Sequence, residues 1–96
     1  MPAYIVSQIR VTDRERFERY RQASIPVAKS YGARYLARSD AVECLDGAHD
    51  GRRVVIIEFP NMSQLKAFWN SAEYQAAREH RLGAADIDIW AIPGPE

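Results

Sequence analysis

The chain has 96 residues, 47% of them hydrophobic, and its 13 basic and 13 acidic side chains cancel to a net charge of zero. This length predicts one domain over residues 1–96, and the hydrophobic fraction is too high for a disordered chain. Zero net charge argues against a dedicated nucleic-acid binder, and the aliphatic run at residues 54–57 is far shorter than the roughly 20 residues of a membrane span.

The first half of the chain predicts two strands around a helix. Residues 3–11 alternate in the period-two pattern of a strand. A capping box at residues 12–15, with Thr12 as the N-cap, begins a helix that Pro26 is expected to kink or break and that Gly32 ends. Residues 33–38 predict a second strand that resumes at residues 42–45, and the turn residues at 46–51 predict a hairpin loop.

The second half predicts the rest of an α+β fold. Residues 53–59 predict a strand, Asn61 and Ser71 are expected to cap two helical segments, and residues 87–92 predict the last strand. The order β-α-β-β-α-β is that of a ferredoxin-like domain, a four-stranded antiparallel sheet with helices on one face. The other face is too apolar to be left in water, with residues such as Tyr4 and Val6, so we expect a second copy of the chain to cover it as a homodimer.

Arg38 and Glu58 form the candidate catalytic pair. If the hairpin turns about Ala48, these two residues lie opposite each other on one sheet face. Arg38 can then orient a carboxylate or carbonyl group, with Glu58 as its partner or as a proton acceptor. A structural ion pair between the strands explains the same pattern, and both interpretations stay open.

Aromatic side chains provide a candidate binding wall. Trp69 and Tyr74 on the second helical region and Tyr31 on the first are expected to line a pocket between helices and sheet, where a phenol supplies a directional contact. Ordinary core packing explains the same helical spacing.

Other classes of site lack their sequence signals. His49 and His80 do not have the spacing of metal ligands, so no metal site is expected. The single cysteine, Cys44, is expected to be a buried structural thiol on a strand, in a cytoplasmic protein without a signal peptide. The chain also lacks a phosphate-binding glycine loop, a serine nucleophile elbow and the exposed aromatic pattern of RNA-binding sheets.

Four strings of residues, taken in order, resemble a known family. They are Ala-Tyr-Ile-Val at residues 3–6, Tyr-Gly-Ala-Arg-Tyr-Leu-Ala-Arg at 31–38, Val-Ile-Ile-Glu-Phe-Pro at 55–60 and Ser-Ala-Glu-Tyr-Gln at 71–75. Over residues 3–92 the chain resembles the domain-of-unknown-function family thirteen-thirty, within the dimeric α/β-barrel superfamily. That family usually has two glycines after the arginine of the second strand, where this chain has Ser39 and Asp40.

The resemblance implies ferredoxin-like protomers that pair sheet on sheet, with a cleft between the sheet and the helices. Related families include cofactor-free quinone-forming monooxygenases, muconolactone isomerases and haem-binding chlorite dismutases, but no histidine is placed here to bind a haem. The family motifs fall on Tyr31, Arg38, Glu58, Trp69, Ser71 and Tyr74, and of these Tyr31, Trp69, Ser71 and Tyr74 are the predicted ligand-binding residues.

Two hypotheses on function follow. The leading one is a homodimer that binds a small oxygenated organic molecule in each cleft and oxidises or isomerises it without a cofactor, using Arg38 and Glu58. The alternative is a non-catalytic ligand-binding or stress-related dimer, in which the polar motif residues only stabilise the dimer. The sequence leaves open whether the chain is an enzyme.

Overall fold

A computed structural model describes residues 1–95 and contains four strands and three helices. In chain order they are β1 (Ala3–Val11), α1 (Arg14–Ser30), β2 (Arg34–Ser39), β3 (Arg53–Phe59), α2 (Met62–Asn70), α3 (Ala72–Arg81) and β4 (Ala85–Pro93). The strands form one antiparallel sheet in the order β2-β3-β1-β4. The ferredoxin-like α+β fold is therefore confirmed. Within residues 1–95, no helix is both long and apolar enough to cross a membrane.

The sheet has one face under the helices and one face free of them. Along β1 every second side chain from Ala3 to Ile9 is buried, as the pleat of a strand with one covered face requires. Burial of each large apolar side chain on that face contributes about 2 kcal/mol to stability. The main core cluster joins β1 and β3 to all three helices through Ala3, Ile5, Ala28, Phe59, Leu65, Phe68 and Tyr74.

The helix caps follow the sequence signals with one change of residue. Asn61 and Ser71 cap α2 and α3 with their side-chain oxygens, as predicted. The prediction of Thr12 as the N-cap of α1 is wrong: the carboxylate of Asp13 accepts a hydrogen bond from the N–H of Arg16 at 3.1 Å. The aspartate lies three residues before that donor, the spacing at which a short side-chain oxygen reaches it.

Helix α1 continues through Pro26 without a break, contrary to the expectation of a break there. Proline removes the N–H that would bond the carbonyl of Gln22. Both residues are exposed, so water can bond that carbonyl and the helix persists. Gly32 ends the helical region as predicted, with a φ of +86°.

Residues 40–52 form an irregular, mostly exposed connection between β2 and β3. The predicted continuation of the second strand at residues 42–45 is wrong, because Ser39 already pairs with Val54 and only Arg53 of β3 lies beyond it. Cys44 is consequently exposed in this loop and is not the buried strand thiol that the sequence predicted.

Candidate functional site

The sheet places Arg38 and Glu58 on opposite faces, so their predicted pairing is wrong. In the register of β2 and β3, Arg38 lies opposite Val55, and Glu58 lies opposite Arg34. The pairing fails because the hairpin register places Arg34, four residues before Arg38, opposite Glu58. The difference in face comes from a β-bulge between Tyr35 and Ala37, which adds one residue to β2 and exchanges the faces of the side chains that follow. Regular alternation along β2 would have left Arg38 on the face of Glu58.

Glu58 belongs to the helix-free face. Its carboxylate forms an ion pair with the guanidinium of Arg34 at 3.1 Å. The structural interpretation of a cross-strand ion pair thus describes Glu58, with Arg34 rather than Arg38 as its partner. Within one protomer, Glu58 is separated by the sheet from any group bound near Arg38.

Arg38 lines a cleft between the helix-covered face of the sheet and the helices. The wall contributed by the strands is mainly aliphatic, with Ile5, Ile9, Val55, Ile57, Ile87 and Ile89, and the buried hydroxyl-bearing residues Ser7 and Ser24 also line the cleft. The remaining wall is largely aromatic, and it consists of Phe17, Tyr20, Tyr35, Phe68, Trp69 and Tyr74. The free space is narrow, about 60 Å³. Pockets for drug-sized ligands start at roughly 300 Å³, so a bound molecule must be small or must displace side chains.

Three arginines, Arg21, Arg38 and Arg53, also line the cleft. Arg53 is held by Asp40 at 2.9 Å, and this hydrogen bond lowers the pKa of the Asp40 carboxyl below its usual value. Arg21 is paired with Glu18 at 3.2 Å. Among residues 1–95, Arg38 has no ion-pair partner, and its side chain is exposed at the mouth of the cleft.

Two phenols meet inside the cleft. The hydroxyl oxygens of Tyr20 and Tyr74 are 3.1 Å apart, and the Trp69 ring packs 4.9 Å from the Tyr74 ring. Burial raises the pKa of Tyr20 far above its usual value, and the neighbouring Tyr74 makes a smaller contribution in the same direction. Burial also raises the pKa of Tyr35, although the charge of Arg38 opposes the increase. The hydroxyls of Tyr20 and Tyr35 therefore act as neutral hydrogen-bond donors and acceptors.

The predicted ligand-binding residues divide into two groups. Trp69 and Tyr74 line the cleft, whereas Tyr31 and Ser71 do not. Tyr31 packs edge-on against Phe68, with the ring centres 6.2 Å apart, beyond the C-terminal end of α1. Ser71 acts indirectly, because its hydroxyl accepts a hydrogen bond from the N–H of Tyr74 at 3.1 Å and so fixes the start of α3 beneath that phenol.

Sequence reasoning did not find the cleft roles of Tyr35 or Arg53. Tyr20 was available from the helical pattern, because it lies one helical turn after Phe17. Tyr35 follows from strand alternation, since it lies opposite Ile57 on the covered face. Within residues 1–95, no group of three His, Cys, Asp or Glu side chains is arranged to hold a metal ion.

Comparisons with known proteins agree with the fold. The model of a family described as "Domain of unknown function (DUF1330)" matches residues 2–95. No curated protein matches the chain. Among solved structures, RPA0582, a protein of unknown function from Rhodopseudomonas palustris, has a TM-score of 0.77 at 21% identity, covering 99% of this chain and 83% of that chain.

Two further solved structures are similar in fold. A variant of SnoaB from Streptomyces nogalater, described as a cofactor-independent oxygenase, has a TM-score of 0.68 at 10% identity over 99% of this chain and 94% of that chain. A Bacteroides fragilis protein, described as dimeric, ferredoxin-like and of unknown function, has a TM-score of 0.63 at 10% identity over 97% of this chain and 96% of that chain. At these identities the likeness shows the fold alone.

Proposed function

The chain belongs to the DUF1330 family, and from that premise we propose that it is a homodimer that binds a small, mainly apolar molecule with an anionic oxygen and oxidises or isomerises it without a bound cofactor. One observation carries this proposal: Arg38 lines an aromatic and aliphatic cleft, and its guanidinium has no carboxylate partner among residues 1–95. SnoaB, described as a cofactor-independent oxygenase, supports the proposal through its similar fold.

The cleft suits a substrate that is itself acidic. Arginine binds carboxylate, phenolate and enolate oxygens through charge-assisted hydrogen bonds, and the apolar walls strengthen them by excluding water. In the described part of the chain, no Asp, Glu or His side chain lines the cleft to act as a strong base. The protein would therefore promote ionisation by stabilising the anion, which favours phenols and enolisable carbonyl compounds.

The proposed reactions begin from that anion. In an isomerisation, a proton leaves one carbon and returns at another. In an oxidation, dioxygen is the co-reactant: an acidic CH₂ group loses both hydrogens and gains one oxygen atom as a carbonyl, while the second oxygen atom leaves as water. Arg38 holds the anionic oxygen in both cases, and Trp69 packs against the ring of the substrate.

The helix-free face supports the homodimer. Trp90 and Ile92 are 45% and 46% exposed there, and both lie opposite apolar or aromatic residues of β1, Val6 and Tyr4. The ion pair of Arg34 with Glu58 borders this patch. A second copy of the same face would bury the apolar centre and leave the charges at its rim. We place the protein in the cytoplasm, where the exposed thiol of Cys44 stays reduced.

The binding proposal is tested by thermal unfolding with 4-hydroxybenzoate, salicylate and 4-nitrophenol as probes. We expect at least one probe to raise the Tm of the wild type, and Arg38→Ala to weaken its Kd about tenfold, the effect of losing one charge-assisted contact of about 1.4 kcal/mol. Arg34→Ala is the matched control, because Arg34 belongs to the same strand but lies on the helix-free face, away from the cleft. Equal weakening in both variants would contradict a site at Arg38.

A second candidate function is a binding module without turnover. The observation that favours it is the same lining, which offers neither a carboxylate nor an imidazole among the described residues. Dioxygen uptake and product analysis by mass spectrometry separate the two functions. For this test the probe is 1,3-indandione, which has the acidic CH₂ group that the proposed oxidation requires. If it binds, depends on Arg38 and is recovered unchanged after prolonged incubation with dioxygen, the binding module is supported.

A further inference from the structure

Arg81, the last residue of α3, is a buried cation without an anionic partner. Its side chain is 5% exposed, and no carboxylate of residues 1–95 lies within 4 Å of it. Its Nε atom is buried and has no hydrogen-bond partner. A buried guanidinium is costly unless it is compensated, and the negative end of the α3 dipole offsets only part of that cost. Such a residue calls for a functional explanation.

The contacts of Arg81 lead to the cleft. Its Nη2 atom donates a hydrogen bond to the hydroxyl of Tyr74 at 3.3 Å, and its guanidinium carbon lies 5.5 Å from the centre of the Tyr20 ring. The Tyr74 hydroxyl in turn lies 3.1 Å from that of Tyr20. Tyr20 and Tyr74 both line the cleft, whereas Arg81 lies behind them.

The chemistry of these groups sets a direction for the hydrogen bonds. A guanidinium can only donate, so the Tyr74 oxygen accepts from Arg81. The 3.1 Å contact accommodates a proton from either hydroxyl; because Tyr74 is 1% exposed and already accepts from Arg81, donation of its own proton to the Tyr20 oxygen is favoured. The proton of the Tyr20 hydroxyl is then left for a group in the cleft. Each bond in such a chain polarises the next, so the positive charge strengthens the last donor.

We propose that Arg81 is a positioning residue: acting through Tyr74, it turns the Tyr20 hydroxyl into a donor toward the cleft, which then selects ligands with an anionic phenolate or enolate oxygen. The inference rests on the proposed function of the cleft as a binding site and adds a second anchor to Arg38. The chemistry of the two anchors matches a hydroxyaryl acid, with its acid group at Arg38 and its phenol oxygen at Tyr20. Burial, which raises the pKa of Tyr20, keeps that hydroxyl protonated and able to donate.

The first test uses the ligand-free protein. Tyrosine labelled with carbon-13 at Cζ reports the exchange of each hydroxyl proton through its deuterium isotope shift. We expect the Tyr74 proton to exchange at least tenfold more slowly than the Tyr20 proton, and Arg81→Met to reverse this order because Tyr20 then becomes the donor to Tyr74. Arg81→Lys keeps a charged donor and should retain the wild-type order of the two exchange rates. This variant keeps the proposal testable if Arg81→Met does not fold.

The matched control is Arg78→Met, which removes a partly buried arginine one turn earlier on α3 whose Nε atom also lacks a partner. This variant should keep the wild-type order of exchange. An order that is the same in wild type and Arg81→Met, or equal exchange of the two protons in the wild type, would overturn the proposal.

The second test uses 4-nitrophenol, whose visible absorption distinguishes phenol from phenolate. We expect the wild-type protein to lower the pKa of the bound probe by at least one unit, and Tyr20→Phe, Tyr74→Phe and Arg81→Met to lose most of that shift. Arg78→Met should retain it. Binding without a shift would overturn the role of Arg81 and leave the cleft as a binding site. If neither this probe nor the two acids bind, the proposed function fails, and the exchange experiment alone decides the role of Arg81.

Discussion

Tyr20 joins the chemistry of the cleft to the stability of the fold. Its ring packs 5.3 Å from that of Phe17 within α1, and its hydroxyl contacts Tyr74 of α3. Burial and Tyr74 raise the pKa of Tyr20, and Arg81 opposes them only in part. The folded protein therefore holds this proton more tightly than the unfolded chain does, which makes stability depend on pH in alkaline solution.

The expected dependence has a definite sign. An unfolded tyrosine titrates near pH 10, so below that value both states keep the proton and Tyr20 adds no pH dependence. Above it the unfolded chain releases the proton while the folded protein retains it, and stability falls by at most about 1.4 kcal/mol per pH unit. Urea unfolding at about pH 8 and pH 11 should show this loss in the wild type and a smaller loss in Tyr20→Phe.

Part of the loss of stability in alkaline solution should persist in Tyr20→Phe, because burial also raises the pKa of Tyr35. Of the three proteins, the double variant Tyr20→Phe/Tyr35→Phe should show the smallest loss of stability between about pH 8 and pH 11. An identical loss in the wild type and in Tyr20→Phe would show that the Tyr20 proton is not retained on folding.

The turn from α1 into β2 depends on one glycine. Gly32 has a φ of +86°, and a Cβ atom placed there would lie 2.8 Å from the Pro60 side chain, which follows β3. Any side chain at this position must therefore tolerate left-handed backbone and displace the proline. This contact joins the end of the first helix to the end of the third strand.

Gly32→Ala should therefore destabilise the protein more than Gly47→Ala. Gly47 has a similar φ of +84° in the loop at residues 40–52, but a Cβ atom there would meet nothing within 4 Å. Left-handed backbone alone costs about 1–2 kcal/mol, which is the loss expected for Gly47→Ala. Urea unfolding of both variants measures the difference, and equal losses would mean that the Pro60 side chain moves without cost.

The elements and the site differ in how far the sequence could predict them. Strands β1 and β3 and the caps at Asn61 and Ser71 were predictable, because alternation and capping depend on residues close together in the chain. The face of Arg38 was not, because a bulge on an edge strand depends on how that strand pairs with its neighbour. The partner of Glu58 was mispredicted because the hairpin has a different register from the one assumed, so that Arg34, four residues before Arg38, lies opposite Glu58.

Tyr74 and Arg81 show which features of the site could not be predicted from the sequence. They are separated by two helical turns on α3, so helical spacing places them on one face. Spacing alone could not show that the arginine is buried without a carboxylate, because that depends on every element packed around it. The hydrogen bond between Tyr74 and Tyr20 also requires α1 and α3 to pack side by side, which only the assembled fold provides.

For the whole molecule, the proposed dimer makes a direct prediction. Trp90→Glu would place a charge at the apolar centre of the helix-free face, where burial of an unpaired carboxylate is strongly unfavourable. We expect light scattering after size exclusion to give the dimer mass for the wild type and the monomer mass for Trp90→Glu. Leu45→Glu is the control, because Leu45 is 93% exposed in the loop and should not affect association. A monomeric wild type at micromolar concentration would contradict the dimer.

The bulge in β2 also affects how this chain should be compared with its relatives. A relative that lacks the extra residue of the bulge, between the glycine equivalent to Gly32 and the arginine equivalent to Arg38, would still present that arginine to the cleft, because regular alternation over the shorter segment gives the same face. A relative with the same number of residues but a regular strand would turn the arginine to the helix-free face. An alignment without a gap would then pair two arginines that serve different surfaces, so the length of this segment and the presence of the bulge together indicate which relatives share the cleft.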